Sequence, residues 1–154
     1  SWARDVYKRQ CKFMDVPYQN NDASNNYPVI RYADVILMYA EALNQNGKTA
    51  EACKYLNMTR RRGFGYQTTE TSPVDLQTTD KAQFALMVEQ ERRVELAFEN
   101  HRWFDLIRTG RAVEVMRSKG FSLNETNLIC PIPQKQIDVN PKLTQNDYRI
   151  ESRN

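Results

Sequence analysis

The sequence has few of the residues that build metal-held or disulfide-held scaffolds. Its three cysteines, Cys11, Cys53 and Cys130, are widely spaced and form no CxxC pair, so they predict neither a disulfide framework nor a zinc site. They are expected to behave as small apolar residues. The single histidine, His101, follows Phe98 by three positions, which excludes the paired Glu-x-x-His motifs of a di-iron bundle. We predict no metal site and no cofactor.

Long apolar runs and a large excess of one charge are also absent. The longest apolar run, VILMYA at Val35–Ala40, is far shorter than the ~20 residues that span a bilayer. We recognise no signal peptide or lipidation motif, and expect a soluble chain or one whose targeting segment lies outside it. A net charge of +3, from 22 basic and 19 acidic residues, does not indicate a nucleic-acid ligand.

The composition that is present predicts one folded, helical domain. Hydrophobic residues make up 40% and charged residues 27%, which is too apolar for a disordered chain. The first strong helix begins after Pro28 and stops at Gly47, in the position of a C′ residue. Its apolar residues recur at i, i+3, i+4 and i+7: Ala33, Ile36, Leu37, Ala40 and Leu43, with Tyr32, Val35 and Tyr39 widening the face.

A second helix follows after a very short connection, which predicts an antiparallel αα-hairpin. We place its N-cap at Thr49 and its end at Gly63. The small residues Ala40, Gly47 and Ala52 match the tetratricopeptide spacing. One face of this second helix carries Ala52, Cys53, Leu56 and Thr59.

The rest of the chain predicts two further helices and long connections. An exposed loop at Gly63–Thr79 leads to Asp80, the predicted N-cap of a long helix over residues 81–100. A break near Asn100 precedes a shorter helix, RWFDLIRTG. The proline-rich tail from Asn127 should be extended, with at most one helical turn at QKQID. With no sheet predicted, the fold class is all-α: a tetratricopeptide-like hairpin plus a long helix.

The most unusual stretch is ERRVELAFENHRWFDLIRTGR, from Glu91 to Arg111. Glu91 and Glu95 lie on the apolar stripe of the long helix, with Phe84, Met87, Val88, Val94 and Phe98. A glycoside hydrolase uses two carboxylates placed across a sugar, but these two lie one turn apart on one helix. A nucleic-acid surface is disfavoured because the arginines alternate with acids that repel phosphate.

The preferred interpretation is that arginines neutralise buried carboxylates, because an unpaired buried carboxylate costs several kcal/mol. Candidate partners are Arg31, Arg60, Arg61, Arg102 and Arg108, whose planar forks suit bidentate pairing. We therefore predict no catalytic residue and a structural ion-pair network of Arg31, Arg60, Glu91, Arg92, Glu95, Glu99, Arg102, Asp105 and Arg108.

Three long blocks of the chain resemble a known family in a fixed order. They are VIRYADVILMYAEALNQNGKTAEACKYLNMTRRRGF, VEQERRVELAFENHRWFDLIRTGRA and ICPIPQKQIDVNPKLTQNDY. Together they resemble the C-terminal region of the SusD/RagB outer-membrane nutrient-uptake lipoproteins. By this resemblance residues 13–154 are expected to be the C-terminal part of a SusD-like domain, and residues 1–12 an unassigned lead that suggests a truncated or mis-joined N-terminus. Asn100 stands where the family usually has glycine.

The resemblance implies a tetratricopeptide-type scaffold that binds glycans, or in some members peptides, without cleaving them. It implies a partner, a SusC-like TonB-dependent transporter, and a cell-surface location on the outer membrane. Membrane attachment would be only through an N-terminal lipid anchor that this chain does not contain. The positions that match the family are expected to act as scaffold: Arg31, Asp34, Ala40, Glu41, Asn57, Arg60, Glu91, Arg92, Glu95, Glu99, Arg102, Trp103, Asp105 and Arg108.

No residue inherits a glycan-binding role from the resemblance, because the family's binding aromatics lie mainly N-terminal to this region. The candidates from the residues themselves are Tyr18, Phe64 and Tyr66, which occupy polar loops where an aromatic side chain has little structural reason to be. The alternative function is a general tetratricopeptide module that binds a protein partner in a soluble compartment. A lipobox upstream and a neighbouring SusC-like gene would favour nutrient capture.

Overall fold

The computed structural model describes residues 28–147, and in that range every regular element is a helix. The absence of strands there confirms the all-α prediction. The sequence-based prediction lacked α5 and the 3-10 helix, because elements of 6 and 4 residues are too short to show a helical period. The helices are α1 (Tyr32–Gln45), α2 (Thr49–Phe64), α3 (Lys81–Glu95), α4 (His101–Arg108), α5 (Ala112–Arg117) and α6 (Gln134–Val139), with a 3-10 helix at Glu125–Leu128.

A Schellman turn joins α1 to α2. Gly47 has φ +76°, its N–H donates to the carbonyl of Asn44 (3.1 Å), and the N–H of Lys48 donates to that of Leu43 (2.9 Å). The prediction of Thr49 as N-cap is wrong, because Thr49 is already the first helical residue. Its hydroxyl instead donates to Oδ1 of Asn44 at 2.8 Å, so it ties the two helices together.

The end of α2 lies beyond the predicted Gly63. Gly65, at φ +84°, ends the helix. Its N–H donates to the carbonyl of Arg62, and the N–H of Tyr66 donates to the carbonyl of Arg61. A glycine can continue a helix at a modest cost, so the first of two nearby glycines does not have to end it. The positive φ decides which glycine does.

The connection from α2 to α3 runs back along α2. Nε of Arg61 donates to Oδ1 of Asp75 at 2.7 Å. One turn earlier, the side chain of Asn57 donates to the carbonyl of Leu76 (2.8 Å) and accepts from its N–H (2.9 Å). Leu76 packs against the core and is only half-exposed. The loop is therefore not exposed throughout, as its composition suggested.

Because the loop returns along α2, α3 runs parallel to α2 and antiparallel to α1. Asn44, near the end of α1, donates to the carbonyl of Lys81 at the start of α3 (3.0 Å). Arg31, just before α1, reaches Glu95 at the end of α3 (2.9 Å), so α1 and α3 are antiparallel. Arg62 near the end of α2 also binds Glu95, so α2 and α3 run parallel.

The core of these three helices contains the predicted face of α2 but only part of the predicted faces of α1 and α3, since Ala33 and Ile36 of α1 are only partly buried. Val94 and Phe98 are 50% and 66% exposed. With a rotation of 100° per residue, Val94 lies at the edge of the buried face of α3. Phe98 lies beyond the end of the helix and has φ +69°. The buried core residues are Leu37, Ala40, Leu43, Ala52, Cys53, Leu56, Phe84 and Val88.

The apolar face of α1 is narrower than predicted. Tyr32, Val35 and Tyr39 do not widen the buried face, because all three side chains are exposed. They lie on the side of α1 that faces away from Leu37 and Ala40. The ring of Tyr39 nevertheless meets that of Tyr55 edge to face, with centroids 4.7 Å apart.

The chain divides into two units, the first ending at Arg102 and the second beginning at Trp103. In the second unit Leu106 and Ala112 are buried. The predicted helical turn at QKQID is confirmed, since α6 spans Gln134–Val139.

Candidate functional site

The carboxylates at the end of α3 meet arginines from α1 and α2. Arg31 makes a two-pronged bond to Glu99: Nε donates to Oε2 at 2.7 Å, and Nη2 donates to Oε1 at 2.8 Å. The same Nη2 also donates to Oε1 of Glu95 at 2.9 Å. Because the Glu99 side chain is only 3% exposed, this pairing neutralises a carboxylate that would otherwise be costly to bury.

Arg62 and Arg60 add two further contacts from α2. Arg62 bonds Oε1 of Glu95, so that carboxylate accepts from two arginines. Nη1 of Arg60 donates to Oε2 of Glu91 at 3.2 Å. Three consecutive arginines of α2 therefore reach three different acids, since Arg61 pairs with Asp75 in the returning loop.

A fully buried pair lies beside these contacts. Nη1 of Arg92 donates to Oδ1 of Asp34 at 2.7 Å, and the two side chains are 6% and 5% exposed. The predicted network lacked Asp34, although its position three residues before Leu37 places it at the edge of the buried face of α1. We call the group Arg31, Asp34, Arg60, Arg62, Glu91, Arg92, Glu95 and Glu99 the ionic end.

The remaining predicted members lie in separate pairs. Nη2 of Arg102 donates to Oε1 of Glu89 at 3.0 Å. Nε of Arg108 donates to Oδ1 of Asp105 at 2.9 Å, within one turn of α4. Each of the nine predicted residues thus takes part in an ion pair, but the contacts form several groups rather than one. Arg62, Glu89 and Asp75 were also missed, because a helical period alone does not say which charged side chain a neighbouring element reaches.

Two side chains of the ionic end have shifted pKa values. Hydrogen bonding to Glu99 raises the pKa of Arg31 well above its usual range. Burial raises the pKa of Glu91, and the hydrogen bond from Arg60 opposes that rise. The arrangement binds carboxylates to guanidinium groups and so fixes the positions of α1, α2 and α3.

The predicted ligand-contact aromatics lie at the end of α2. Phe64 and Tyr66 flank Gly65 and are 60% and 46% exposed. The guanidinium carbon of Arg60 lies 5.1 Å from the centre of the Phe64 ring. Tyr18 lies outside the described residues.

Two other observations concern the part of the chain that the structure describes. No three histidine, cysteine or acidic side chains there are grouped so that they could hold a metal ion. No helix in residues 28–147 is long and apolar enough to cross a bilayer.

Sequence comparison finds close relatives over most of the chain. Residues 7–148 match the SusD family. SusD-like protein P38 of Formosa agariphila is 37% identical over 139 residues, which cover 90% of this chain and 27% of the relative. SusD-like protein P25 of the same organism is 35% identical over 131 residues, which cover 80% and 24%. The chain thus spans about a quarter of the length of these relatives.

Solved structures are similar in fold as well. A SusD homolog from Bacteroides thetaiotaomicron VPI-5482 superposes with a TM-score of 0.70 at 36% identity, over 89% of this chain and 30% of that one. A SusD-like protein from Bacteroides fragilis NCTC 9343 gives 0.61 at 26% identity, over 87% and 28%. The fold is all-α and tetratricopeptide-like, as the sequence predicted. The chain belongs to the SusD family.

Proposed function

We propose that this chain serves the non-catalytic capture of glycans, or of other nutrients, at the outer membrane. In this proposal the captured molecule passes to a SusC-like TonB-dependent transporter, and an N-terminal lipid anchor holds the protein at the cell surface. The observation that carries the proposal is the family match over residues 7–148. Its extent makes a chance likeness of one short motif an inadequate explanation.

The ionic end supports binding without catalysis. A general acid and a nucleophile need carboxylates that are free to exchange a proton or attack a substrate. Glu91, Glu95 and Glu99 are instead bonded to arginines that cross between helices. Such pairing stabilises a scaffold and leaves the contact with a nutrient to other residues.

A second candidate function is a tetratricopeptide-type module that binds a protein. The exposed side chains of Tyr32, Val35 and Tyr39 along α1 favour it, because exposed apolar patches on a helix commonly bind another protein. The two functions differ in what the protein should retain from solution.

The test uses protein produced from its native gene. Nutrient capture predicts slower migration in native gels that contain the bound glycan, no release of shorter saccharides, and co-purification with a SusC-like transporter from outer-membrane extracts. Recovery of a protein partner from the soluble fraction, with no retardation by any glycan, would replace this proposal with the interaction module. Release of shorter saccharides would contradict the non-catalytic part.

A further inference from the structure

The end of α2 presents two exposed aromatic side chains on a polar segment. Phe64 is the last residue of the helix, and Tyr66 begins a loop rich in threonine and glutamine. More than half of the Phe64 side chain and nearly half of the Tyr66 side chain are exposed. Folding alone gives little reason to place two rings there, because exposed aromatic surface gains nothing from burial.

The Phe64 ring is supported from one side. The guanidinium of Arg60 lies over the ring at 5.1 Å, a distance at which a cation is attracted to the ring face. Nε of Arg60 also donates to the carbonyl of Val74 at 2.6 Å, and Nη1 donates to Glu91. A guanidinium held by these two hydrogen bonds restricts the ring, while 60% of the Phe64 side chain stays open to solvent.

The backbone that carries Tyr66 is also held. The N–H of Tyr66 donates to the carbonyl of Arg61 at 2.9 Å. Two residues later, the carbonyl of Thr68 accepts from Nη1 of Arg61 at 3.0 Å. Because this backbone is already fixed, only the side chain of Tyr66 has to lose freedom when it binds a ligand, which favours affinity.

The charges around the rings favour an uncharged ligand. Arg60, Arg61 and Arg62 are each paired with an acid, so none of them offers an uncompensated cation. The exposed polar side chains that follow Tyr66, Gln67 and Thr69, offer an amide and a hydroxyl instead. Ring faces combined with a few neutral hydrogen-bonding groups suit a sugar ring, which has an apolar face and a rim of hydroxyls.

We propose that Phe64 and Tyr66 form a contact site for a neutral saccharide, with Arg60 as the residue that positions Phe64. This inference rests on the proposed function, glycan capture, and assigns part of it to these two rings. Sulfated or uronic saccharides should bind there no better than neutral ones, because the three arginines beside the rings are already neutralised.

The experiment is glycan affinity electrophoresis of the protein produced from its native gene, followed by calorimetric titration with the glycan that retards it. Phe64→Ala and Tyr66→Ala should each weaken binding about tenfold, the loss expected for one aromatic stacking contact. Phe64→Leu keeps an apolar side chain of similar size and should lose nearly as much affinity as Phe64→Ala. The matched control is Tyr39→Ala, since Tyr39 is also exposed, at 47%, but its ring packs on Tyr55, well before Phe64 along α2.

The outcomes separate the two proposals. Wild-type protein that binds a glycan while the Phe64 and Tyr66 variants bind it equally well would overturn the contact site and leave glycan capture intact. Equal losses in Tyr39→Ala, or binding confined to charged saccharides, would also overturn the site. If wild-type protein binds no glycan at all, the proposed function fails and this inference fails with it. Circular dichroism of each variant verifies that the fold is retained.

Discussion

The two ends of the three-helix unit are joined by different physical interactions. At one end, which we call the apolar end, Leu43, Ala52 and Phe84 pack together without a charged neighbour among the core side chains. At the ionic end, the same three helices meet through arginine–carboxylate bonds such as Arg92–Asp34. Contacts that depend on direction and partner dominate the ionic end, whereas the apolar end combines apolar packing with the hydrogen bonds that join Asn44 to Thr49 and Lys81.

The two ends therefore contribute differently: one to the stability of the helix packing, the other to the relative positions of the helices. Apolar burial is non-directional and scales with area, so Phe84 would accept several similar packings. The fork of Arg31 fits Glu99 in one orientation, with two bonds of 2.7 and 2.8 Å. We infer that the apolar end supplies most of the stability, while the ionic end fixes the position of each helix along its axis relative to the other two.

The turns at the two ends differ as well. The turn that follows α1 at the apolar end places Gly47 at φ +76°. The turn that follows α3 at the ionic end places Phe98 at φ +69° and Asn100 at φ +62°. A non-glycine residue with positive φ is strained unless its surroundings enforce that conformation. Here Arg31 holds the buried Glu99, which lies between these two residues.

The largest effect should come from removing one partner of the most buried ion pair. Asp34→Ala leaves the guanidinium of Arg92 without its buried acid, and should lower the free energy of unfolding by about 3–5 kcal/mol. Urea denaturation followed by circular dichroism measures this loss. A loss below about 1 kcal/mol would show that the ionic end contributes no more than exposed pairs do.

A double replacement is the control for this first prediction. Asp34→Leu combined with Arg92→Met removes both charges at once, and should recover most of the stability lost in Asp34→Ala. At the apolar end Phe84→Ala should also cost about 3–5 kcal/mol, because it leaves a cavity. No second replacement that only removes a charge can restore that loss.

A pH-dependent effect should follow from Glu91. Burial raises its pKa, so the folded chain binds this proton more tightly than the unfolded chain does. The resulting stabilisation is present at low pH and is lost as pH rises through the folded-state pKa. Glu91→Gln should therefore gain stability relative to the wild type as pH increases from about 4 to about 7, measured by urea midpoints.

The returning loop gives the opposite sign and serves as a comparison. The hydrogen bond from Arg61 lowers the pKa of Asp75, so the stabilisation by Asp75 is present at neutral pH and is lost as pH falls. Asp75→Asn should lose stability relative to the wild type at neutral pH, and this difference should shrink on acidification. The same sign for both variants would contradict the assigned causes.

A smaller effect should come from the turn at the ionic end. Asn100→Gly removes the cost of a side chain at φ +62° and should stabilise the chain by about 0.5–1 kcal/mol. Asn100→Ala should destabilise it, because alanine tolerates this conformation less well than asparagine does. Thermal denaturation of both variants measures the difference. A gain with alanine would mean that the turn is not strained.

The smallest effect should come from the pair of α4, in which the arginine is exposed although Asp105 is buried. Arg108 is 44% exposed and bonds Asp105 within the same helical turn. Arg108→Ala should change the free energy of unfolding by less than about 0.5 kcal/mol. A double-mutant cycle with Asp105→Ala, measured by urea denaturation, isolates the pair. A coupling energy comparable to that of Asp34 and Arg92 would remove the distinction between a pair with an exposed arginine and a pair buried on both sides.

The three long helices, α1, α2 and α3, could be predicted from the sequence because each is amphipathic. Leu37, Leu56 and Phe84 lie on the expected faces, and Asp80 caps α3 by accepting from the N–H of Gln83. Where two signals of the same kind lay close together, the sequence was ambiguous. Gly65 ends α2 in place of Gly63 for this reason.

The partners of the ionic end could be predicted only in part. The stripe on α3 indicated that Glu91 and Glu95 face inward, and the fork of Arg31 made it a natural partner. Which of three consecutive arginines reaches which acid depends on the returning loop, whose path along α2 is set by Asn57 and Leu76. No local pattern in the sequence encodes that path.

The pairing of the three arginines of α2 limits where residues can be inserted into or deleted from this chain. Adding one residue before Arg60 would rotate Arg60, Arg61 and Arg62 by about 100° around the helix and separate all three from their acids at once. The exposed stretch of the loop at Thr69, Glu70 and Thr71 carries no such constraint. Insertions and deletions among relatives should therefore accumulate in that stretch and be rare within α2.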